Sequence, residues 1–374
     1  MALTDEQTAI RDLVREFARE EIRPTAREAD RTGEFPEAVW DGFAELDLTG
    51  LTVPEPYGGY DADPVTAAVV NEEVAYGMLA VATALSVHSL ATSCIATFGS
   101  EAQQERWLPE MAAGRPVGAF AHSEPHAGSN PPALSTEARR DGESYVINGE
   151  KQWITNGERA GVYIVFAKTD RDDQSTITQF LVPGDADGLT VGEKEDKLGL
   201  RASDTTSLTL DDVRIPAENR LTDVGDGLSA AFHILTGGRI AIAAQAVGLA
   251  QAALDTAIEY SQEREQFGTP IAEIQSIRHT LAEMETRTQA ARLLTRHAAR
   301  ARAEGGAERE ASMAKYFASE ASMFVTNEAV QIHGGYGYVT ETDVERLYRD
   351  AKITEIYEGT TEIQKTVIAR DLLD

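Results

Sequence analysis

Ile356-Tyr357-Glu358-Gly359-Thr360-Thr361-Glu362-Ile363-Gln364 sets a lone carboxylate between an aromatic residue and a glycine, just before the last helical pattern of the chain. Thr361 and Gln364 have capping-box spacing, which predicts a helix beginning at Thr361 and leaves Glu358 in the turn that leads into it. Gly359 lets the backbone approach a ligand where a side chain would block it. With Tyr357 and Ile356 beside it, Glu358 is predicted to be partly desolvated. Burial disfavours the charged form and raises the pKa, which makes a carboxylate a usable general base near neutral pH.

Upstream of this turn the chain is helical back to about Gly227. Two long patterns, 228–265 and 271–303, are separated by Gly268-Thr269-Pro270; Gly305-Gly306 ends the second, and 308–333 makes a third. Long, few and amphipathic helices predict a bundle. Between Pro116 and about Asp226 the pattern changes to short β-branched or alternating runs: Tyr145-Val146-Ile147, Val162 to Phe166 and Thr176 to Val182. Asn148-Gly149, Asn156-Gly157 and Asp187-Gly188 read as the turns between them, giving an antiparallel β domain. Residues 4–113 read as helices. Thr4 and Gln7 form a capping box before Ile10, Leu13, Val14 and Phe17, expected on one face. Phe35-Pro36 opens a second helix with Trp40, Phe43 and Leu46 inward, Pro54 to Asp63 is a loop, and Ser100 and Gln103 cap another helix. The fold class is therefore multidomain α+β: a helical domain over 1–115, a β domain over 116–226 and a helical bundle over 227–374.

The chain has 374 residues, 42% of them hydrophobic, enough for a sizeable core. Its net charge of −28 is spread along the sequence and repels phosphate backbones, so nucleic-acid binding is excluded as a main role. Only 7 of its 34 basic residues are lysine, and acid excess with so few lysines resembles proteins of salt-loving prokaryotes. Val81 to Phe98 carries no Asp, Glu, Lys or Arg, but its serines, threonines and His88 predict a buried core helix rather than a membrane insertion. Cys94, the only cysteine, cannot form an intrachain disulfide and reads as a small buried hydrophobe. Met1 to Gln7 lacks the basic start and apolar run of a signal peptide, which predicts a cytoplasmic protein.

Two common cofactor signatures are missing. Gly334-Gly335-Tyr336-Gly337 lacks the Gly-x-Gly-x-x-Gly spacing and follows no strand, and there is no Walker A sequence. His122 and His126 are four apart, but Pro125 lies between them and no helix holds them together, so no metal site is expected.

Several stretches together, in order and at matching spacing, resemble the acyl-CoA dehydrogenases. The Tyr357-Glu358-Gly359-Thr360 turn resembles that family's catalytic turn. Phe120-Ala121-His122-Ser123-Glu124-Pro125-His126-Ala127-Gly128-Ser129-Asn130 and Lys151-Gln152-Trp153-Ile154-Thr155-Asn156-Gly157 resemble its flavin segments. Leu198 to Ser203, Val213 to Asn219, Arg264-Glu265-Gln266-Phe267-Gly268 and Gln331 to Tyr338 complete the set.

The resemblance implies FAD, with His122 and Ser123 at the pyrimidine edge of the ring, Phe120 in the same loop, Trp153 walling one face and Thr155 near N5. It implies that Arg264, Gln266 and Phe267, with Ile274 and Gln275 nearby, reach the pyrophosphate and adenine of a neighbouring subunit's cofactor. Gln331, Gly334 and Gly335 would take the adenosine side, Thr360 the diphosphate, and Glu362 would lie near the adenine. Ser129, Thr236, Arg239, Tyr357 and Gly359 are the implied substrate contacts. Glu358 would take the pro-R α-proton of a saturated acyl-CoA while the β-hydrogen leaves as hydride to flavin N5, giving a trans-2-enoyl-CoA. The implied partners are electron-transferring flavoprotein and other copies of the chain in a homotetramer.

Some relatives carry the base immediately before the arginine equivalent to Arg239; here that residue is Gly238, which leaves Glu358 as the base. Asn130, Thr236 and Glu362 depart from the usual Asp, Asp and Gln, and bear on CoA affinity and substrate choice. Ala84 to Leu90 and Cys94 resemble the helix lining the acyl pocket of short-chain members. Val87 and Leu90 would close the tunnel at about four to eight carbons, with a graded preference because one methylene is worth only ~1–3 kcal/mol. The carboxylate turn favours a dehydrogenase over an oxygen-using relative, and the charge disfavours the superfamily's DNA-associated branch.

Overall fold

The computed structural model describes residues 2–373. Helix α1 (Asp5–Phe17) starts at the expected capping box: Thr4 Oγ1 accepts the Gln7 N–H at 3.1 Å and Gln7 Oε1 accepts the Thr4 N–H at 3.2 Å. Its apolar stripe centres on buried Val14, with Ile10 and Phe17 packed at the core's edge; Leu13 falls at the margin of the stripe and is 50% exposed, contrary to expectation. A π-helical turn leads on to α2 (Ala26–Thr32), then α3 (Glu37–Glu45) with Trp40 and Phe43 buried. Three further helices follow: α4 (Pro64–Gly77), α5 (Leu79–Phe98) and α6 (Glu101–Ala112), the last capped by Ser100 and Gln103. Helix α5 is the buried core helix its composition predicts, and Cys94 lies inside it, where burial pushes its thiol pKa upward.

The sheet comprises β1 (Val117–Ala121), β2 (Glu137–Asp141), β3 (Ser144–Ile154), β4 (Ala160–Lys168), β5 (Ile177–Pro183), β6 (Leu189–Val191) and β7 (Thr206–Pro216). Its order is β1-β4-β2-β3-β7-β6, with β5 on β4. The β2–β3, β3–β7, β4–β5 and β6–β7 pairs are antiparallel as expected, whereas β1 runs parallel to β4. A parallel pair needs a crossover connection rather than a hairpin, and here that connection carries the 122–130 loop and the β2–β3 hairpin. Asn148-Gly149 is not a turn. It forms a bulge inside β3, where the register slips, and Asn148 exchanges hydrogen bonds with Asp212 on β7.

Beyond the sheet come α7 (Gly227–Glu263), the two-residue strands β8 (Glu265–Gln266) and β9 (Thr269–Pro270), α8 (Gln275–Ala303), α9 (Glu308–His333), α10 (Val344–Ala351) and α11 (Thr361–Leu373). Helix α7 stops two residues before the expected end because Arg264 turns extended and Glu265-Gln266 pairs with Thr269-Pro270. Helix α8 starts later than expected because Ile271–Glu273 forms a 3-10 turn. Helix α7 is the spine: α4, α5, α8 and α9 pack on it, and α9 also receives α10 and α11. Helices α5 and α7 are each long and apolar enough to cross a membrane, and both are mostly buried within the protein.

Candidate active site

Glu358 has φ 53°, left-handed for a residue with a side chain, a conformation costing about 1–3 kcal/mol that persists only where its surroundings enforce it. Gly359 follows at φ 88°, and a Cβ there would stand 2.7 Å from Gln364 Nε2. The glycine is therefore required by the turn's own packing, before any ligand is considered. Helix α11 begins at Thr361 as predicted, but the cap comes one residue earlier: Thr360 Oγ1 accepts the Ile363 N–H at 3.4 Å. Gln364 does not close the expected box. Its Nε2 donates to Glu358 O at 3.1 Å and Gly359 O at 2.8 Å, and Lys315 Nζ donates to Gly359 O at 2.7 Å.

Glu358 Oε2 is buried and has no hydrogen-bond partner, although the residue as a whole is only partly covered. Burial pushes the carboxyl up to about 7, against the pull of the Lys315 and Arg239 cations. The expected cover by Ile356 does not form; that side chain is 49% exposed because the turn directs it outward. Instead, a Cβ built on Gly238 would lie 3.0 Å from Glu358 Oε2 and 3.2 Å from Leu90 Cδ2, so α5 and α7 enclose the carboxylate. Tyr357 is anchored beneath: its hydroxyl lies 3.3 Å from Thr83 Oγ1 and donates to Gln245 Oε1 at 3.4 Å, while Gln245 Nε2 donates to Asn71 Oδ1 and Ala82 O. Arg239 is buried with Nε and Nη1 unpartnered, and Thr236 donates its hydroxyl to Phe232 O within α7.

A second constellation sits at the end of β1. His122 lies edge-on to Phe166 at 4.7 Å, near Phe120. Its Nε2 is buried without a partner, and burial lowers its pKa to about 4, so the ring is neutral. Glu124 accepts from the N–H and hydroxyl of both Ser135 and Thr136, and from Lys151 Nζ at 2.8 Å. Burial alone would raise the Glu124 carboxyl; the Lys151 cation and the other donors hold it at about 2. Lys151 Nζ also reaches His122 O at 3.4 Å, and the Gln152 N–H donates to Ser123 O at 3.0 Å, which ties Trp153 to this loop. Trp153 has φ 63° and is 60% exposed. Thr155 follows it, partly buried, and Asn156 Nδ2 pins the turn to Ala84 O on α5 and Gly118 O on β1. Ser129 and Asn130 are exposed farther along the loop.

Arg264, Gln266, Phe267, Ile274, Gly334 and Gly335 line one groove of about 630 Å³. Tyr260 and His333, stacked at 4.1 Å, also face it, and neither was singled out from sequence. Gln275 and Gln331 are exposed at neighbouring helix ends outside the lining. Thr360 and exposed Glu362 belong to the carboxylate turn, not to this groove.

Lys315, Glu124, Lys151 and Asn156 are the site-building residues that sequence reasoning assigned no role. Lys315 had a readable signal: it shares a helical stripe with Ala311, Ala318 and Ser322, where a solvent-facing lysine has no place. These residues fit FAD. An orphaned buried imidazole nitrogen and an uncovered indole stand beside Ser123. In the groove, Arg264 and Gln266 offer donors opposite a backbone at Gly334-Gly335 where an added side chain would meet nothing within 4 Å.

Residues 4–115, 119–213 and 225–373 match the family models described as the acyl-CoA dehydrogenase N-terminal, middle and C-terminal domains. The chain is 46% identical over 376 residues to an acyl-CoA dehydrogenase of Bacillus subtilis (strain 168), covering 100% of this chain and 99% of that one. It is 44% identical over 374 residues to the mitochondrial short-chain specific acyl-CoA dehydrogenase of Rattus norvegicus, covering 99% and 91% respectively. The structure of butyryl-CoA dehydrogenase from Megasphaera elsdenii matches with a TM-score of 0.97 at 42% identity, covering 100% of both chains. This chain belongs to the acyl-CoA dehydrogenase family, FAD-dependent oxidoreductases acting on acyl-CoA thioesters.

Proposed function

We propose that the enzyme converts a saturated short- to medium-chain acyl-CoA to the trans-2-enoyl-CoA with Glu358 as general base. The observation that carries this is the buried, unpartnered Glu358 Oε2 with its carboxyl raised to about 7, a stronger base than a free carboxylate and still about half ionised at neutral pH. A thioester α-hydrogen is a weak acid, so the developing enolate needs a donor at the carbonyl oxygen. The Glu358 N–H meets no protein acceptor among the described residues and is free to serve. FAD, when bound, supplies the hydride acceptor. Anaerobic flavin bleaching by an acyl-CoA, lost in Glu358→Gln, tests the reading; bleaching that persists in the variant would refute it.

Helix α5 sets the acyl limit in this reading: buried Leu90 crowds the space near Gly238, and Val87 lies buried one turn before it on the same helix. A graded preference for about four to eight carbons follows. The short-chain and butyryl-CoA relatives support it, and specificity constants for butyryl-, octanoyl-, palmitoyl-, isobutyryl- and glutaryl-CoA decide it. Ser129, Thr236, Arg239, Tyr357 and Gly359 contact the thioester or CoA, and electron-transferring flavoprotein takes the electrons. The domains divide at 1–115, 116–226 and 227–374. The working form is a homotetramer, a dimer of dimers, in which a neighbouring subunit covers Phe267 (95% exposed) and Tyr338 (88% exposed) beside the dinucleotide groove. We place the enzyme in a salt-loving prokaryote, on its charge and low lysine content, and in the cytoplasm as the default for a chain with one cysteine.

A further inference from the structure

We propose that Lys315 is the positioning residue of the carboxylate turn: from inside α9 it clamps the left-handed Glu358-Gly359 backbone and places a positive charge near the Glu358 carboxyl. The inference rests on Glu358 as the base and adds what holds that base in place.

Lys315 is fully buried, among the largest side chains sealed in the protein. It makes no direct ion pair among the described residues, and its one hydrogen bond goes to a neutral backbone carbonyl, Gly359 O. A buried ammonium without a paired carboxylate is costly, and packing alone would be served better by an apolar side chain of similar volume. What offsets the cost is the field of nearby acids, Glu358 first, then Glu355 and Glu362.

The geometry supplies the other half. Gln364 holds the carbonyls of both Glu358 and Gly359, and Lys315 adds a charge-assisted donor to the second. Two side chains thus over-determine a backbone conformation that Glu358 would not adopt unaided. With both carbonyls drawn into the protein, the Glu358 N–H is left without an internal acceptor.

The charged surroundings of Glu358 are few. Arg239 comes from α7 and Lys315 from α9, and Tyr357 is its neighbour in the turn. Glu308 and Arg370 act on Arg239, and Glu355 and Glu362 act on Lys315. Helix α5 contributes no Asp, Glu, Lys or Arg, and its His88 is occupied by the Gly118 N–H and Met111 O. Burial raises the Glu358 carboxyl, and the two cations lower it. Without Lys315 it must move further up, and the base becomes protonated at a pH where the native enzyme still works.

The test compares Lys315→Gln, which keeps a donor but no charge, Lys315→Met, which keeps neither, and Lys315→Arg, which keeps both. The acid limb of the kcat/KM profile is followed together with the Glu358 carboxyl band in infrared difference spectra of the substrate-free holoenzyme, referenced to Glu358→Gln. Both neutral variants should move limb and band to higher pH by about one unit, a tenfold loss at fixed acid pH. Lys315→Met should also lose about ten- to a hundredfold on the high-pH plateau as the turn slackens, and Lys315→Arg should restore the native limb. An FAD-loaded Lys315→Gln with an unmoved carboxyl band would overturn the inference.

Should the neutral variants not fold, the same coupling is read from the other side. With carbon-13 lysine, burial has already brought the Lys315 ammonium down to about 8, and Glu358→Gln should lower it further; no movement would overturn the proposal. The infrared and lysine titrations report the coupling whether or not Glu358 is the base. A Glu358→Gln enzyme that still bleaches would therefore sink the base assignment alone.

Discussion

Gly238 stands so close to Glu358 that a Cβ on it would lie 3.0 Å from the carboxylate Oε2. The contact is tighter than ordinary van der Waals packing, and Leu90 closes the other side at 3.2 Å. Gly238→Val therefore has to displace the carboxylate or α5. Misplacement of about 1 Å at a reacting group costs on the order of a hundredfold in rate. The variant should keep its FAD and lose ten- to a hundredfold in kcat/KM, with Gly238→Ala in between. A valine variant with native kinetics would mean that the reacting carbon does not approach along this side.

Glu358→Gln should lose about 10²–10⁴-fold in flavin reduction while the oxidised spectrum remains. It should also be more stable. The folded carboxyl sits at about 7, above its unfolded value near 4.3, so the native state holds the proton more tightly and stability falls as pH rises through that window. At pH 8 the amide should recover on the order of 3 kcal/mol. Denaturant unfolding at pH 4 and pH 8 checks the sign: the gain should be nearly absent at the lower pH and full at the higher. With Glu358 as the proposed base, the same titration should set the acid limb of kcat/KM near pH 7.

Lys151→Met should destabilise the protein by about 3 kcal/mol or more, because it strands Glu124 in the interior without its cation. It should also weaken FAD binding, since Lys151 reaches His122 O in the loop that carries Ser123. The Glu124 carboxyl is held at about 2, so its stabilisation is complete above its unfolded value near 4.3 and drains away as pH falls toward 2. Unfolding midpoints with FAD titrations separate the two effects; native stability in the variant would contradict the buried-pair account.

Molar KCl should raise the melting temperature. A net charge of −28 repels itself at low salt, and at ~1 M the Debye length is about 3 Å, which screens most of that repulsion. An unchanged melting temperature between low and molar salt would refute the salt-adapted reading.

Much of this protein was written in local pattern. The Thr4 and Ser100 capping boxes, the 308–333 helix and the change of period into the β segment are decided by residues within a few positions of one another, so a linear reading recovers them. The turn holding Glu358 was legible for the same reason. Tertiary structure decided what surrounds it. Lys315 reaches Gly359 across 44 residues, Asn156 pins the Trp153 turn to an α5 carbonyl 72 residues away, and Gly238 meets Glu358 from α7. Long-range packing also turned Asn148-Gly149 into a bulge, set β1 parallel to β4 and left Leu13 and Ile356 exposed. Capping and periodicity act between chain neighbours, whereas desolvation and charge act through space. Residue order could therefore name the carboxylate, but only the folded chain could exclude water from it and bring two cations beside it.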